Sequence, residues 1–294
     1  MKELVVISGK GGTGKTSLVA AFAALARDIV LVDCDVDAAD LHLILAPDVL
    51  QRNDFRSGHE ALIRREDCIG CGACIAHCRF DAVKMDGSGA GEATFTIDPI
   101  SCEGCGVCVR FCPVQAIDFP ERACGEWYVS RTRFGPMVHA RLGIATENSG
   151  KLVSVLRQEA RRLAAERGNP LILVDGPPGI GCPVIASVTG AATVLIVTEP
   201  TLSGEHDLKR VLELARHFGI GALVCVNRWD INPVMAERIE QEAAKAGATA
   251  LARIPYDRSV TDAQVRGVSI VEHNNGPAAE SIRQIWEEIR WTVS

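Results

Sequence analysis

The sequence predicts a mostly parallel α/β domain that is interrupted by a small, cysteine-rich α+β insert. Three observations support this prediction. Short apolar runs alternate with helical segments on both sides of the insert, residues 9–16 form a glycine-rich loop that ends in Lys15-Thr16, and eight cysteines lie in two runs between Cys68 and Cys112. Short buried strands that alternate with helices build parallel sheets, so the flanking segments are expected to form one domain. We place its first part at residues 1–58, the insert at 59–125 and its second part at 126–294.

Composition and charge limit the class of protein. The chain has 294 residues, 47% of them hydrophobic, and a net charge of −6, which disfavours nucleic acid as a partner. No apolar run reaches the roughly 18 residues of a transmembrane helix, so no membrane insertion is expected. The first strand begins at Glu3 without a signal peptide, and eight of the twelve cysteines have metal-cluster spacing. Both features predict a reducing, cytoplasmic compartment.

The predicted elements begin with a βαβ unit. Residues 4–8 and 29–33 are apolar runs typical of buried parallel strands, and residues 15–27 between them predict a helix. After the insert, residues 127–142 predict a hairpin that turns at Gly135-Pro136. Further strands are predicted at residues 171–175, 193–198, 222–227 and, more weakly, 250–254. Further helices are predicted at residues 149–166, 205–217, 234–246 and 277–291.

Residues 9–16 read Gly-Lys-Gly-Gly-Thr-Gly-Lys-Thr, the pattern of a phosphate-binding loop between a strand and a helix. The glycines let backbone N–H groups approach phosphate oxygens, and the helix N-terminus adds favourable partial charge. Lys15 is expected to reach the β- and γ-phosphates, and the Thr16 hydroxyl to ligate Mg²⁺. The residues predicted to contact the nucleotide here are Gly9, Lys10, Gly11, Gly12, Thr13, Gly14, Lys15, Thr16 and Ser17.

A dinucleotide fingerprint is the competing interpretation of this loop. The same glycines fit G-x-G-x-x-G, and acidic residues follow about twenty positions further on. Lys15-Thr16 has no role in that fingerprint, whereas a triphosphate and its metal need both residues. Asp175, at a predicted strand end, adds a carboxylate suited to Mg²⁺. We therefore predict a triphosphate site.

The loop also contains a second lysine, Lys10, directly after its first glycine. The run Lys-Gly-Gly-Thr-Gly-Lys-Thr resembles the deviant Walker A loop of the MinD/ParA/nitrogenase-iron-protein class of P-loop ATPases. In that class the extra lysine reaches the nucleotide of a partner subunit. The resemblance implies an ATPase that forms an ATP-dependent homodimer, or a heterodimer with a related subunit, in which Lys10 and Lys15 are catalytic.

Other motifs extend the resemblance to residues 1–45 and 145–294. Val-Asp-Cys-Asp at 32–35 resembles switch I, which implies that Asp35 orients the attacking water and that Asp33 helps to hold hydrated Mg²⁺. Residues 175–181 resemble switch II, which implies that Asp175 is a second residue of the metal site. Asn227 matches an asparagine that contacts the base, and Pro255 lies in a segment that matches a loop packed on adenine.

The cysteines between 68 and 112 form an internal repeat with an offset of 34 residues. Their spacing is that of bacterial two-cluster ferredoxins, in which the fourth cysteine of each run ligates the other cluster. Zinc sites typically use separated cysteine pairs, so zinc is the weaker alternative. The predicted ligands of the first [4Fe–4S] cluster are Cys68, Cys71, Cys74 and Cys112. The predicted ligands of the second are Cys102, Cys105, Cys108 and Cys78.

Two details of the insert carry further expectations. Cys112 is followed by Pro113, as the ferredoxin pattern requires, but Cys78 is followed by Arg79, which is expected to loosen the loop at the second cluster. Residues 87–91 are rich in glycine and predict a flexible link between the two halves of the repeat.

The whole chain thus resembles a MinD-superfamily ATPase with an inserted ferredoxin domain. ATP, Mg²⁺ and two [4Fe–4S] clusters are the expected cofactors, and the expected function is electron transfer that nucleotide-dependent dimerisation gates. Two alternatives stay open: an ATP-dependent carrier or assembly factor for iron–sulfur clusters or metallocofactors, and a MinD-like positioning or redox-sensing ATPase. An electron donor, an electron acceptor or a client protein is the further expected partner.

Overall fold

The computed structural model describes residues 2–86, 94–143 and 149–293, so the predicted link at 87–91 lies outside the described residues. The chain forms two compact units. Unit 1 contains the described residues within Met1–Asn53, Glu126–Leu142 and Asn148–Ser294. Unit 2 contains those within Asp54–Gly125 and Gly143–Glu147.

The strands and helices follow in this chain order. The strands are β1 (Lys2–Ser8), β2 (Ile29–Asp33), β3 (Asp48–His59), β4 (Leu62–Ile63), β5 (Val83–Asp86), β6 (Thr94–Ile97), β7 (Ile117–Asp118), β8 (Glu121–Thr132), β9 (Gly135–Leu142), β10 (Leu171–Pro178), β11 (Thr193–Thr198), β12 (Gly221–Val226) and β13 (Thr249–Ala250). The helices are α1 (Lys15–Leu25), α2 (Leu41–Leu45), α3 (Ala73–His77), α4 (Val107–Phe111), α5 (Ser149–Arg167), α6 (Cys182–Val188), α7 (Leu202–His217), α8 (Pro233–Lys245), α9 (Ser259–Val265), α10 (Ile270–His273) and α11 (Pro277–Val293).

A nine-stranded sheet has the order β13-β12-β11-β1-β10-β2-β9-β8-β3. All neighbouring pairs from β13 to β9 are parallel. Because β1 lies between β11 and β10, the loop after β1 emerges near the centre of the carboxyl edge of the sheet. This is the place where ligands bind in open parallel sheets.

Both faces of the central strands are covered, as alternation of side chains along a strand requires. One face carries Leu4 and Val6 of β1, which pack in a cluster with α1 and α11; the Phe22 and Trp286 rings lie 5.1 Å apart there. The next residues along β1, such as Val5, are also fully buried. The last helix buries one apolar side of its surface, formed by Ile282, Ile285, Trp286 and Ile289.

The hairpin predicted at 127–142 exists, but its turn is not at Gly135-Pro136. The turn is Arg133-Phe134, and Gly135 already begins β9. The Thr132 hydroxyl accepts hydrogen bonds from the backbone N–H groups of Phe134 and Gly135. A side chain at Gly135 would lie 2.6 Å from the Ile29 carbonyl oxygen, so this glycine serves a close strand contact rather than the turn.

Unit 2 repeats its backbone with the 34-residue offset of its cysteines. Helices α3 and α4 begin after left-handed glycines, Gly72 at φ 72° and Gly106 at φ 71°. The strand pairs β4–β7 and β5–β6 are antiparallel and exchange places under the same offset, since Ile63 pairs with Ile117 and Val83 with Ile97. The two halves of the unit are therefore related by an approximate twofold axis.

The missing proline after Cys78 does not change the local backbone. Cys78 has φ −77° and ψ 117°, and Cys112, which precedes Pro113, has φ −77° and ψ 112°. Both values are those of the extended backbone that a following proline favours. The expected loosening at Arg79 is therefore not seen in the torsion angles.

Candidate functional site

The phosphate-binding loop lies at the carboxyl end of β1 and leads into α1. Gly12 and Gly14 have φ angles of 79° and 94°, which would be strained in any residue with a side chain. Lys15 and Thr13 are buried, whereas Gly11 is exposed. The Thr13 hydroxyl is buried and has no hydrogen-bond partner within the described residues. A phosphate oxygen bound in the loop would supply the acceptor that this hydroxyl lacks.

Lys15 extends from the first turn of α1 toward switch I. Its ammonium nitrogen lies 3.9 Å from Asp35 Oδ2, and its side chain is 5% exposed. Burial raises the pKa of Asp35, while the Lys15 charge opposes that rise. A buried lysine that faces one carboxylate at this distance has unused donors, which anionic phosphate oxygens would satisfy.

Two further carboxylates lie side by side at the ends of adjacent parallel strands. Asp33 of β2 pairs in register with Asp175 of β10. Asp33 accepts hydrogen bonds from the backbone N–H groups of Asp35 and Leu41, at 3.2 and 3.3 Å. Within the described residues, neither oxygen of Asp175 completes a hydrogen bond, and its side chain is buried.

Burial makes these two carboxylates hard to ionise without a cation. It raises the pKa of Asp33 well above its usual range, and the neighbouring Asp175 raises it further. Burial also raises the pKa of Asp175 to about 7, although the Lys15 charge and the nearby Thr16 hydroxyl oppose the rise. Oxygen ligands on a buried anionic pair suit Mg²⁺, which binds through one or two carboxylates together with phosphate oxygens. Asp33, Asp175 and Thr16 thus fit the predicted metal site.

The residues predicted to face the base are brought to the same edge. Asn227 follows β12, and its Nδ2 donates to the Thr13 carbonyl oxygen at 2.8 Å. Asn227 also bridges to Ile254, so Pro255, the next residue, begins a loop beside it. Asn227 therefore supports the backbone of the phosphate-binding loop in this conformation, a contact that its predicted role did not include.

Lys10 is held within its own chain. Its ammonium nitrogen lies 3.2 Å from Glu199 Oε2, and it donates to the hydroxyls of Ser203 and Thr201 at 3.3 and 3.5 Å. Glu199 follows β11 directly, and its other carboxylate oxygen accepts from Arg228 at 2.5 Å. The extra lysine is thus paired with a carboxylate in cis, at the start of α7.

Eight of the nine cysteines of unit 2 line two small cavities, four in each. One cavity is lined by Cys68, Cys71, Cys74 and Cys112. The other is lined by Cys78, Cys102, Cys105 and Cys108. The fourth cysteine of each run therefore joins the cavity of the other run. The two sets are the two predicted ligand sets.

Backbone N–H groups also approach the cysteine sulfurs. The Ala116 N–H lies 3.2 Å from Cys112 Sγ. Burial acts to raise the pKa of Cys78, but the N–H groups of Phe80, Ala82 and Val83 outweigh it and lower that pKa. In residues 2–86, 94–143 and 149–293, no three His, Cys, Asp or Glu side chains are grouped so as to hold a single metal ion.

Comparisons with known proteins address the whole chain. A family model described as the CobQ/CobB/MinD/ParA nucleotide binding domain matches residues 4–270. The chain belongs to this family. The uncharacterized protein MJ0578 of Methanocaldococcus jannaschii is 32% identical over 292 residues, which cover 98% of this chain and 96% of that protein.

Solved structures show the same fold for this MinD/ParA-family chain. The MinC:MinD cell division protein complex of Aquifex aeolicus matches with 20% identity and a TM-score of 0.58, over 99% of this chain and 96% of that one. MinD of Pyrococcus horikoshii, complexed with Mg-ADP, matches with 18% identity and a TM-score of 0.56, over 98% and 95%. Among the described residues, no helix is long and apolar enough to cross a membrane.

The sequence did not predict two residues that lie beside the phosphate-binding loop, Glu199 and Gln264. Glu199 directly follows a predicted strand, and this position was the available signal. That strand, β11, neighbours β1 and ends at the same edge of the sheet. Gln264 donates to the Ser17 hydroxyl at 2.7 Å, which places α9 beside the start of α1. No spacing rule connects residues so distant in sequence, so only the fold brings them together.

Proposed function

We propose that this chain is an ATPase whose nucleotide-dependent dimerisation gates electron transfer through two [4Fe–4S] clusters bound by residues 59–125. The observation that carries the proposal is the lining of the two cavities in unit 2 by the two predicted cysteine sets. The nucleotide half rests on the geometry around Lys15 and on membership of a nucleotide-binding family.

ATP and Mg²⁺ fit the residues at the carboxyl edge of the sheet. Residues 9–17 offer backbone N–H groups and the buried Lys15 ammonium to the phosphates. Asp33, Asp175 and Thr16 would hold Mg²⁺, directly or through water. Asp35 faces Lys15 in this structure. Once the Lys15 ammonium pairs with the phosphates instead, the Asp35 carboxylate would be free to orient the attacking water. The Mg-ADP complex of the similar MinD fold supports this choice of ligand.

The cysteines of unit 2 fit iron–sulfur clusters better than zinc. Thiolates are soft ligands that suit both, but four-cysteine zinc sites use separated pairs and a single tetrahedral ion. Each cavity here joins three closely spaced cysteines to one from the other run, as in two-cluster ferredoxins. When bound, the clusters would supply one-electron transfer. The chain contributes the thiolates, the N–H groups around Cys112 and Cys78, and the apolar lining.

Chain order supports a coupling between the two activities. After switch I the chain passes through α2 and β3 directly into unit 2, and it returns through β8. In unit 1, Arg133 at the end of β8 donates to the carbonyl oxygens of Ile44 and Leu45, which end α2. Its guanidinium also pairs with Glu272 of α10. Segments that follow a γ-phosphate sensor can change with the nucleotide state, which is the basis of the proposed gating.

Two further functions fit the same family. A carrier of clusters or metallocofactors would release them to a client protein, and a MinD-like positioning or redox-sensing ATPase would keep them as structural or sensing elements. The cysteine set favours retention, because each run contributes to both cavities. Transfer of iron and sulfide to an apo-protein during ATP turnover would favour the carrier instead.

Paired cysteine variants test how the clusters are bound. Anaerobically purified protein is expected to contain about eight irons and eight sulfides per chain. Cys71→Ala with Cys112→Ser alters one proposed set and should leave about four irons. Cys105→Ala with Cys112→Ser alters both sets and should leave almost none. The exposed Cys182 lies outside both sets, so Cys182→Ser is the matched control.

If instead Cys71→Ala with Cys112→Ser lost almost all iron, and Cys105→Ala with Cys112→Ser kept about half, each run would bind its own cluster. Stoichiometric zinc without sulfide would reject the iron–sulfur proposal. The nucleotide half is tested separately by Lys10→Ala, which should bind ATP as a monomer but lose ATP-induced dimerisation and dimer-dependent hydrolysis.

A further inference from the structure

The loop between β11 and α7 presents one carboxylate to two cations. Glu199 contacts Lys10 through one oxygen and Arg228 through the other. We propose that Glu199 is a positioning residue that keeps Lys10 within its own subunit until two ATP-loaded subunits associate. This inference rests on the proposed ATP-dependent dimer and identifies the cis partner that Lys10 must leave.

All three donors of the Lys10 ammonium have an acceptor within its own chain. A lysine ammonium has three donors. Glu199, Ser203 and Thr201 lie 3.2, 3.3 and 3.5 Å from it, so three acceptors surround it. The Lys10 side chain is only 31% exposed in this position. Lys10 cannot reach a nucleotide in another subunit without giving up these contacts.

The backbone around the Lys10 ammonium is closely packed. A side chain at Gly9 would lie 2.3 Å from Asp207 Cβ, so the loop packs directly against α7. A side chain at Gly204 would lie 2.3 Å from the Glu199 carbonyl oxygen. The Thr201 hydroxyl accepts from the Gly204 N–H at 3.0 Å and caps α7. Release of Lys10 is therefore a movement of its flexible side chain away from a rigid acceptor site.

When Lys10 moves away, the Glu199 carboxylate loses one of its two cationic partners. The Glu199 side chain is 13% exposed, and a carboxylate so little exposed is costly to leave without a partner. Arg228 remains paired with it after Lys10 moves away. Because Arg228 still neutralises Glu199, the free-energy cost of releasing Lys10 stays moderate and the release is reversible. Without Arg228, Glu199 would hold Lys10 more tightly.

The strength of the Lys10–Glu199 ion pair sets the expected change in dimer affinity. Ion pairs that are partly exposed change an equilibrium constant by up to about fivefold, which corresponds to about 1 kcal/mol at 1.4 kcal/mol per tenfold. Each subunit of a symmetric dimer releases one Lys10. The two effects multiply, so loss of the Glu199 charge should lower the dimer dissociation constant about 25-fold.

The experiment compares four full-length proteins with Mg²⁺ and a non-hydrolysable ATP analogue by sedimentation. Glu199→Gln should dimerise about 25-fold more tightly than the wild type. Arg228→Asn should dimerise more weakly than the wild type, and asparagine tolerates the left-handed backbone there (φ 56°). Glu242→Gln removes the same charge from an ion-paired glutamate on α8 and should behave as the wild type.

A second readout does not depend on dimerisation. Acylation of Lys10 in the nucleotide-free proteins, followed by mass spectrometry of the loop peptide, should be about fivefold faster in Glu199→Gln. Equal acylation rates, or the same dimer constant in Glu199→Gln and a dimerising wild type, would overturn the role of Glu199 alone. A wild type that stays monomeric with every nucleotide would overturn the proposed dimer and this role together.

Discussion

Three glycines of the phosphate-binding loop provide a graded test of its geometry. Gly12 and Gly14 both have left-handed backbones, at φ 79° and 94°, whereas Gly11 does not. A Cβ at Gly11 or Gly12 would meet nothing within 4 Å, but a Cβ at Gly14 would lie 2.6 Å from Asn227 Nδ2. Alanine at these positions should therefore differ in strain and in contact.

The magnitudes follow from those two causes. Gly11→Ala should be neutral or stabilising by about 0.5 kcal/mol, because it restricts only the unfolded chain. Gly12→Ala should cost about 1–2 kcal/mol through backbone strain alone. Gly14→Ala carries the same strain and also displaces Asn227 from the Thr13 carbonyl oxygen, which adds about 1 kcal/mol.

Urea unfolding of the nucleotide-free proteins, followed by circular dichroism, measures these differences. The cycle with Asn227→Ala isolates the contact, because Gly14→Ala should cost about 1 kcal/mol less in that background. Gly12→Ala should cost the same in both backgrounds and serves as the control. Equal costs for Gly12→Ala and Gly14→Ala, with no coupling to Asn227, would refute the placement of Asn227 against the loop.

Three other predictions concern charge and nucleotide binding. Arg157→Met leaves the buried Glu3 carboxylate paired with the half-exposed Arg161 alone, so the free energy of unfolding in urea should fall by about 3 kcal/mol. The double variant Glu3→Leu with Arg157→Met should recover most of that free energy, and an equal loss in the double variant would contradict this explanation. Burial lowers the pKa of His139 from 6.5 to about 4, so the unfolded chain binds the proton more readily and the contribution of His139 to stability should fall by up to about 3 kcal/mol as the pH drops from 6.5 to 4. The difference between the wild type and His139→Gln isolates this contribution, because the raised pKa values of Asp33 and Asp175 act in the opposite direction. His139→Gln should remove that pH dependence, and an unchanged slope would disprove it. Lys15→Ala should abolish ATP binding in calorimetry, and wild-type affinity would reject the assignment of the loop.

Hydrophobic patterning predicted most of the parallel sheet. The strands β1, β2 and β11 each contain an unbroken apolar run, at residues 4–7, 29–32 and 194–197, because both faces of the central sheet are buried. By contrast, β3 was not predicted, since most of its side chains are exposed and its sequence shows no alternation. Helix α2 has only five residues, and α6 begins beside Pro183 after a glycine-rich turn, so neither shows a helical period.

The candidate site divides in the same way. Motifs with short spacings placed residues 9–17, Asp33, Asp35 and Asp175 at one edge, and the structure brings them together. The pairing of Lys10 with Glu199 joins residues 189 positions apart, through two strands that are adjacent only in the folded sheet. No local signal carries such a contact. The ferredoxin-like spacing, in which the fourth cysteine of each run joins the other run, predicted the same grouping of cysteines that lines the two cavities.

An EPR-monitored redox titration of the anaerobically purified protein, with and without MgATP, tests most directly whether nucleotide controls the redox properties of the proposed clusters. The proposal predicts two [4Fe–4S] signals whose reduction potentials shift when MgATP is added, and no shift in Lys15→Ala. Two stable signals with the same potentials in both conditions would contradict nucleotide-gated electron transfer.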